Sequence, residues 1–156
     1  MSDFIDMSPQ VDAVQHKYPD YYRNAQAHAE MADLWGGVSC NNCGVIQATE
    51  ELTIELQGQP RWNARIWLAA VPDDRWLMST GHYYPSGGGS GPISIWDRRA
   101  YLDRDAAIAA GIGELTNRYQ RLRDWSGTSH TEKIQAERMI DLLATYTTKP
   151  KQMNLF

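Results

Sequence analysis

The sequence predicts an α+β fold: a three- to four-stranded antiparallel sheet packed by C-terminal helices and preceded by an N-terminal helix. Two patterns indicate this fold. Residues 52–96 alternate apolar with polar side chains, as strands with one buried face do. Residues 103–123 and 129–146 instead repeat apolar side chains every three or four positions, as helices with one buried stripe do. Helix, strands and helices in this order make a two-layer domain.

The N-terminal region is predicted to be helical. A short helix is expected after Ser8-Pro9, and a longer one over Asp20 to Trp35. Pro19 suits the first turn of the longer helix, because its missing N–H would have no partner there. Gly36-Gly37 ends that helix. Its buried stripe is expected to be Tyr21, Ala25, His28, Ala32 and Trp35.

Two strands joined by a turn at Gly58-Gln59-Pro60 begin the predicted sheet. The second strand carries Asn63, Arg65 and Trp67 on the face opposite its apolar residues. The apolar faces of the two strands are expected to hold Leu52, Ile54, Leu56, Trp62, Ala64, Ile66 and Leu68.

The remainder of the sheet follows a tight-turn signal at Pro72-Asp73-Asp74. Arg75 to Tyr84 is predicted to be the third strand. Ser86 to Gly91, which is mostly glycine, is predicted to be a flexible loop, and Ile93 to Trp96 a short fourth strand.

Two helices complete the domain. Asp103 is expected to cap the first, and Gly111 and Gly113 inside it each cost about 1 kcal/mol relative to alanine, so close packing on the sheet is the expected compensation. Ser129-His130-Thr131-Glu132 has the form of a capping box for the second. The inward side chains are expected to be Ile108, Ile112, Leu115, Tyr119, Leu122, Ala136, Met139, Ile140, Leu143 and Tyr146.

Length and composition exclude several classes of protein. A chain of 156 residues is long enough for one core, so residues 1–146 are predicted to be a single domain and residues 147–156 a flexible tail. The 42% hydrophobic content argues against a disordered protein, and two cysteines make no disulfide framework. Neither a signal peptide nor a membrane-spanning run is seen, which predicts a cytoplasmic protein.

The net charge of −4 is distributed unevenly. Residues 1–60 hold nine acidic and two basic residues, a net charge of −7, whereas residues 61–156 hold ten acidic and thirteen basic residues, a net charge of +3. Contact with nucleic acid would therefore fall on the second part. The alternative is ordinary scatter of surface charge.

The residues Gln152-Met153-Asn154-Leu155-Phe156 resemble the pentapeptide by which bacterial polymerases, mismatch-repair proteins and other clients bind the DNA sliding clamp. That pattern is glutamine, a mostly aliphatic residue, a small polar residue, leucine and phenylalanine. Met153 replaces the commonest leucine but is apolar and adaptable, and Asn154 keeps the polar character of the usual serine or aspartate. The resemblance covers five residues and implies one partner, the bacterial sliding clamp.

The side chains of this peptide suit such a contact. Leu155 and Phe156 are bulky apolar groups that either pack on their own domain or fill a pocket of a partner. Gln152 can donate and accept hydrogen bonds at a pocket rim. Pro150 keeps the tail out of the preceding helix. A tail that becomes ordered only on binding gives a weak, reversible contact.

Cys40-Asn41-Asn42-Cys43-Gly44 is a CxxC loop. Two thiolates at this spacing can bind one tetrahedral ion, so Cys40 and Cys43 are candidate zinc ligands. A full site needs two further ligands, and the sequence contains neither a second CxxC nor paired histidines, so two chains would have to combine. A redox pair and two ordinary thiols are the alternatives, although the polar, glycine-rich flanks fit a thioredoxin-type pair poorly.

Arginine alternates with tryptophan along the predicted second and third strands, at Arg61-Trp62, Arg65-Ile66-Trp67 and Arg75-Trp76. Such a surface can stack bases and contact the phosphates of single-stranded nucleic acid. Alternation assigns Trp62 to the core, which leaves Arg65, Trp67 and Arg75 as candidate nucleic-acid-binding residues. The alternative is that this aromatic stripe is core, and a pI near 5.5 is low for a strong DNA binder.

No catalytic constellation is apparent. Ser39, Ser86 and Ser90 lack the context of a nucleophile elbow, and Gly87–Gly91 lacks the ending of a phosphate loop. The sequence therefore predicts a non-enzymatic accessory protein of DNA replication or repair that docks on the clamp and, by analogy with mobile elements that recruit host factors, is phage- or plasmid-borne. A small nucleic-acid-binding module and an enzyme with a dispersed site are the alternatives.

Overall fold

The computed structural model describes residues 3–148, with side chains up to Tyr146. Within these residues the chain forms four α-helices, eight β-strands and one short 3-10 helix. In chain order they are β1 (Phe4–Asp6), α1 (Ser8–Lys17), the 3-10 helix (Tyr21–Arg23), α2 (Ala25–Leu34), β2 (Val45–Ile46), β3 (Glu50–Leu56), β4 (Gln59–Val71), β5 (Arg75–Tyr84), β6 (Gly87–Ser90), β7 (Ile93–Ser94), β8 (Arg99–Tyr101), α3 (Arg104–Asp124) and α4 (His130–Thr148).

The strands confirm the α+β class but are more numerous than predicted. Six form one sheet in the order β1-β8-β5-β4-β3, with β6 also paired to β5, and β2 and β7 form a separate pair. The three-residue strands β1 and β8 pair antiparallel, with Phe4 opposite Tyr101. Strands this short show no alternation in sequence, so only their pairing identifies them. The predicted fourth strand over 93–96 is reduced to Ile93–Ser94 and belongs to the second sheet.

The glycine-rich segment that was expected to be a loop is the strand β6. It runs antiparallel to β5, and its backbone lies close to the side chains and backbone of that strand. A Cβ on Gly87 would lie 2.9 Å from Tyr84 Oη, and one on Gly88 would lie 2.5 Å from the carbonyl oxygen of His82. Glycine is required here for close approach, and not for flexibility.

The N-terminal helices depart from prediction at one boundary and in one buried stripe, where Ala25 is exposed and Ala27 and Met31 are buried. The short helix expected after Ser8 is α1, with a proline in its first turn. The longer helix begins at Ala25 and not at Asp20, because Asn24 caps it: its side chain accepts hydrogen bonds from the backbone N–H groups of Gln26 and Ala27 at 2.9 and 3.0 Å. The chain before Asn24 makes the short 3-10 helix instead.

Helices α3 and α4 lie where the sequence predicts them. Asp103 caps α3 by accepting from the backbone N–H of Ala106 at 2.7 Å. Ser129 caps α4 by accepting from Glu132 N at 3.2 Å, as the capping box requires. Tyr146, expected to point inward, is 39% exposed. None of the helices in residues 3–148 combines the length and the apolar character needed to cross a membrane.

The described chain divides into two compact units. The first unit contains residues 3–51, 67–79 and 91–108, and the second contains 52–66, 80–90 and 109–148, so β4 and β5 each contribute to both. The core of the first unit is Met7, Val11, Val14, Ala27, Met31, Trp35, Ile46, Ala69, Val71, Leu77, Ile93, Ile95 and Ala100. Buried apolar side chains of the second unit include Ile54, Leu56, Trp62, Ala64, Ile66, Ile112, Leu115, Tyr119, Ala136, Met139 and Leu143.

Candidate functional site

The sheet of the second unit has one covered face and one open face. On the covered face, the rings of Trp62 and His82 lie with their centroids 6.4 and 5.9 Å from that of Tyr119 on α3. A Cβ on Gly111 of the same helix would lie 3.0 Å from Ile66. This close approach confirms the packing expected at Gly111, whereas a Cβ on Gly113 would meet nothing within 4 Å.

Tyr119 is the centre of the polar contacts on the covered face. Its hydroxyl donates to the carbonyl oxygen of Asn63 on β4 at 2.8 Å and accepts from the backbone N–H of Tyr83 on β5 at 3.2 Å. Burial raises the pKa of the Tyr119 phenol far above its ordinary value of 10.0. Tyr119 is therefore a neutral link between two strands and not an acid that functions near neutral pH.

His82 is a titratable group beside Tyr119, with the two ring centroids 5.9 Å apart. Burial lowers the pKa of His82 from its ordinary value of 6.5, and the guanidinium of Arg118 lowers it further, while a hydrogen bond with the Gly89 backbone and the carboxylate of Glu114 act in the opposite direction. Glu114 also accepts a hydrogen bond from the nearly buried Thr80 hydroxyl at 2.8 Å. The cluster favours a neutral imidazole at neutral pH.

The open face carries Arg65, one of the three predicted nucleic-acid-binding residues. Side chains alternate along β4, so Arg65 lies on the face opposite the buried Ala64 and Ile66 and is exposed. Its guanidinium lies over the ring of Tyr83, 5.9 Å from the centroid. Arg61, two positions earlier on the same strand, is also exposed and donates to the carbonyl oxygen of Pro85 at 3.0 Å. The contact between Arg65 and Tyr83 could not be predicted from the sequence, because it depends on the pairing of β5 with β4.

The other two predicted residues belong to the first unit. Trp67 is partly buried against its core. Arg75 lies over the ring of Trp35, 5.3 Å from the centroid, and donates to the carbonyl oxygens of Leu34 and Pro72, each at 3.2 Å. Side chains held in this way support the core, so Arg65 is the predicted residue that lies on an open face.

The CxxC loop is a turn organised by Asn41. The Asn41 side chain accepts from the backbone N–H groups of Cys43 and Val45, both at 2.9 Å. Cys43 is exposed and Cys40 is partly buried, and burial raises the pKa of the Cys40 thiol, which disfavours the reactive thiolate. Within residues 3–148 no three His, Cys, Asp or Glu side chains are placed to hold one metal ion. Zinc binding at Cys40 and Cys43 therefore stays a prediction that needs ligands from elsewhere.

The first unit has an open groove of about 360 Å³ that the sequence did not indicate. Its lining residues are Met78, Trp96, Asp97, Arg98, Arg99 and Tyr101. Both arginines have partners: Arg98 pairs with Asp12 at 2.8 Å, and the guanidinium of Arg99 lies 4.6 Å from the centroid of the Phe4 ring. Asp6, whose pKa is lowered by hydrogen bonds from Ser8 and by the charges of Arg99 and Arg98, lies close to both arginines, so the groove is not an anion site.

The clamp-like peptide, Gln152 to Phe156, lies outside the described residues, which end at Thr148. Comparison of the chain with protein-family models, with curated proteins and with solved structures found no match.

Proposed function

We propose that this protein docks on the bacterial DNA sliding clamp through Gln152 to Phe156 and acts as a non-enzymatic accessory protein of DNA replication or repair. The supporting observation is the run of five residues with the chemistry that the clamp-binding pattern requires. Three residues, Lys149-Pro150-Lys151, separate this peptide in sequence from α4, and the proline disfavours continuation of that helix.

In this proposal each side chain of the peptide has a separate role. Leu155 and Phe156 fill an apolar pocket of the clamp and provide most of the affinity. Gln152 hydrogen-bonds at the rim and sets the register, while Met153 adapts to the apolar surface between them. Asn154 contributes little, because a small polar residue of any kind suits its position. The affinity is modest, as expected for a peptide that becomes ordered on binding.

Surface plasmon resonance of the full chain over an immobilised bacterial sliding clamp tests the proposal. We expect saturable binding, a loss of at least about tenfold for Phe156→Ala, and a similar loss for Gln152→Ala. Asn154→Ser is the matched control and should bind within about twofold of wild type, since it restores a residue usual in the pattern. A peptide covering residues 147–156 should compete with the full chain.

Two outcomes would overturn the proposal. One is the absence of saturable binding by the wild-type chain. The other is equal binding by Phe156→Ala and wild type, which would show that the contact is made elsewhere on the protein.

A further inference from the structure

The open face of the second unit differs from its other surfaces in having arginine and an aromatic ring in direct contact. Arg65 lies over Tyr83, and Arg61 lies on the same side of β4. The β6 residue paired with Tyr83 is Gly88, which has no side chain to rise above the sheet. A Cβ on Gly88 would lie 3.2 Å from Tyr83 Cδ1, so the glycine leaves room beside this partly buried ring.

The arginines of the open face suit a polyanion, while the unit as a whole is nearly neutral. Its described residues, 52–66, 80–90 and 109–148, contain seven lysines and arginines against six aspartates and glutamates, a net charge of +1. The sheet strands in this unit carry Arg61 and Arg65 against one carboxylate, Glu55, which alternation places on the open face because Ile54 and Leu56 are buried.

We infer that this open face, defined by Arg61, Arg65 and Tyr83, binds single-stranded nucleic acid. Unpaired bases stack on the Tyr83 ring and the Arg65 guanidinium plane, and Arg61 contacts the phosphate backbone. A duplex hides its base faces, so it contacts only the guanidinium groups and binds more weakly. The site is small, and its affinity falls steeply with salt.

Of the three residues named first from the sequence, this surface keeps Arg65 and leaves out the other two. Trp67 and Arg75 serve the core of the first unit, whereas Tyr83 replaces them as the stacking group. The inference is independent of clamp docking, because it concerns the folded body and not the C-terminal peptide. A protein that lacks either activity can retain the other.

Fluorescence anisotropy with labelled oligothymidine and oligouridine of about 15 nucleotides, measured on the full chain from about 50 to 200 mM salt, tests the inference. We expect binding at the low-salt end, with Arg65→Gln and Tyr83→Leu each weakening it by at least about fivefold. Tyr83→Phe should bind like wild type, because it keeps the ring. The slope of log affinity against log salt should fall by about 0.7 for Arg61→Gln.

The matched control is Arg138→Gln, which removes the same charge from an exposed arginine on α4 that hydrogen-bonds Gln135. It should bind within about twofold of wild type. Glu55→Gln should tighten binding, since it removes the carboxylate from the open face. Thermal melting by circular dichroism identifies any variant that is not folded. If Tyr83→Leu unfolds, Arg65→Gln and Arg61→Gln still test the inference, because both substitutions are at exposed positions.

The inference is supported if either oligomer binds and if the variants weaken or preserve that binding as described above. Comparison of the two oligomers distinguishes DNA from RNA. The inference is overturned if wild type binds neither at low salt. It is also overturned if Arg138→Gln loses as much affinity as Arg65→Gln, or if duplex DNA binds as tightly as the single strand.

Discussion

The two compact units differ in charge, as the two parts of the sequence do. The first unit contains six lysines and arginines against thirteen aspartates and glutamates, a net charge of −7, whereas the described residues of the second contain seven against six, a net charge of +1. Several cations of the first unit are paired internally: Arg98 with Asp12 and Arg104 with Glu50, both at 2.8 Å. The second unit contains ion pairs as well, such as Arg123 with Glu137 at 2.6 Å, so the two units differ in net charge and not in whether their arginines are paired.

The units also differ in what organises their cores. In the first, Trp35 is fully buried, and its Nε1–H donates to the carbonyl oxygen of Ile95 at 2.9 Å. In the second, the Tyr119 hydroxyl joins β4 to β5. Both cores thus contain a fully buried aromatic ring that hydrogen-bonds to the backbone, and the effect of substitution depends on whether the ring or only its polar group is removed.

The largest effect is expected for Trp35→Ala. It removes a fully buried ring and leaves the carbonyl oxygen of Ile95 without its partner, so the free energy of unfolding should fall by about 3–5 kcal/mol. Chemical denaturation monitored by circular dichroism measures this. Trp125→Ala, at a side chain that is 64% exposed, is the control and should change stability by less than about 1 kcal/mol. Equal losses for both variants would contradict the assignment of Trp35 as the centre of the first core.

Tyr119→Phe should have a smaller effect, of about 1–2 kcal/mol, because it keeps the buried ring and removes only the hydroxyl that bonds Asn63 and Tyr83. The same denaturation experiment applies. Tyr22→Phe, at a 53% exposed tyrosine, should leave stability unchanged. If Tyr119→Phe were neutral, the polar link would not hold the second core.

The two glycines of α3 offer a matched pair. Gly113→Ala should raise stability by about 0.5–1 kcal/mol, since alanine favours the helix and its Cβ meets nothing within 4 Å. Gly111→Ala should gain less, because its Cβ would lie 3.0 Å from Ile66 and that side chain must shift. An equal gain at both positions would show that α3 does not pack tightly at Gly111.

The smallest effect is the pH dependence from His82. Because burial lowers the pKa of His82 in the folded state below the ordinary 6.5, the unfolded chain binds its proton first as pH falls. Stability should therefore decrease as pH falls from about 7.5 through 6.5 to the lower folded-state pKa, and the loss is complete below that value. His82→Gln should show a smaller decrease over this window in denaturation at several pH values. His16→Gln, which removes a histidine of α1, is the control and should behave like wild type. If the stability of His82→Gln decreased as much as that of wild type, the pH dependence would come from other groups.

Much of the fold followed from the sequence because its signals are local. Helix caps at Asp103 and Ser129, the buried stripe of α3 and the alternation along β4 depend on residues a few positions apart, and the structure confirms them. The start of α2 is also set locally: Pro19 and Asn24 are competing start signals, and the side chain of Asn24 decides between them by capping the helix.

What only the tertiary structure decided is pairing between distant residues. The strand β6 is a run of three glycines and a serine that no propensity scale favours; it is a strand because it pairs with β5, and at Gly88 the His82 carbonyl leaves no room for a Cβ. The open face also depends on the tertiary structure. The sequence indicated both Arg65 and Arg75, but only the fold places Arg65 over Tyr83 on a surface and Arg75 over Trp35 in a core. The proposed role of the clamp-like peptide, by contrast, depends only on the identity and order of five adjacent side chains, which the sequence alone gives.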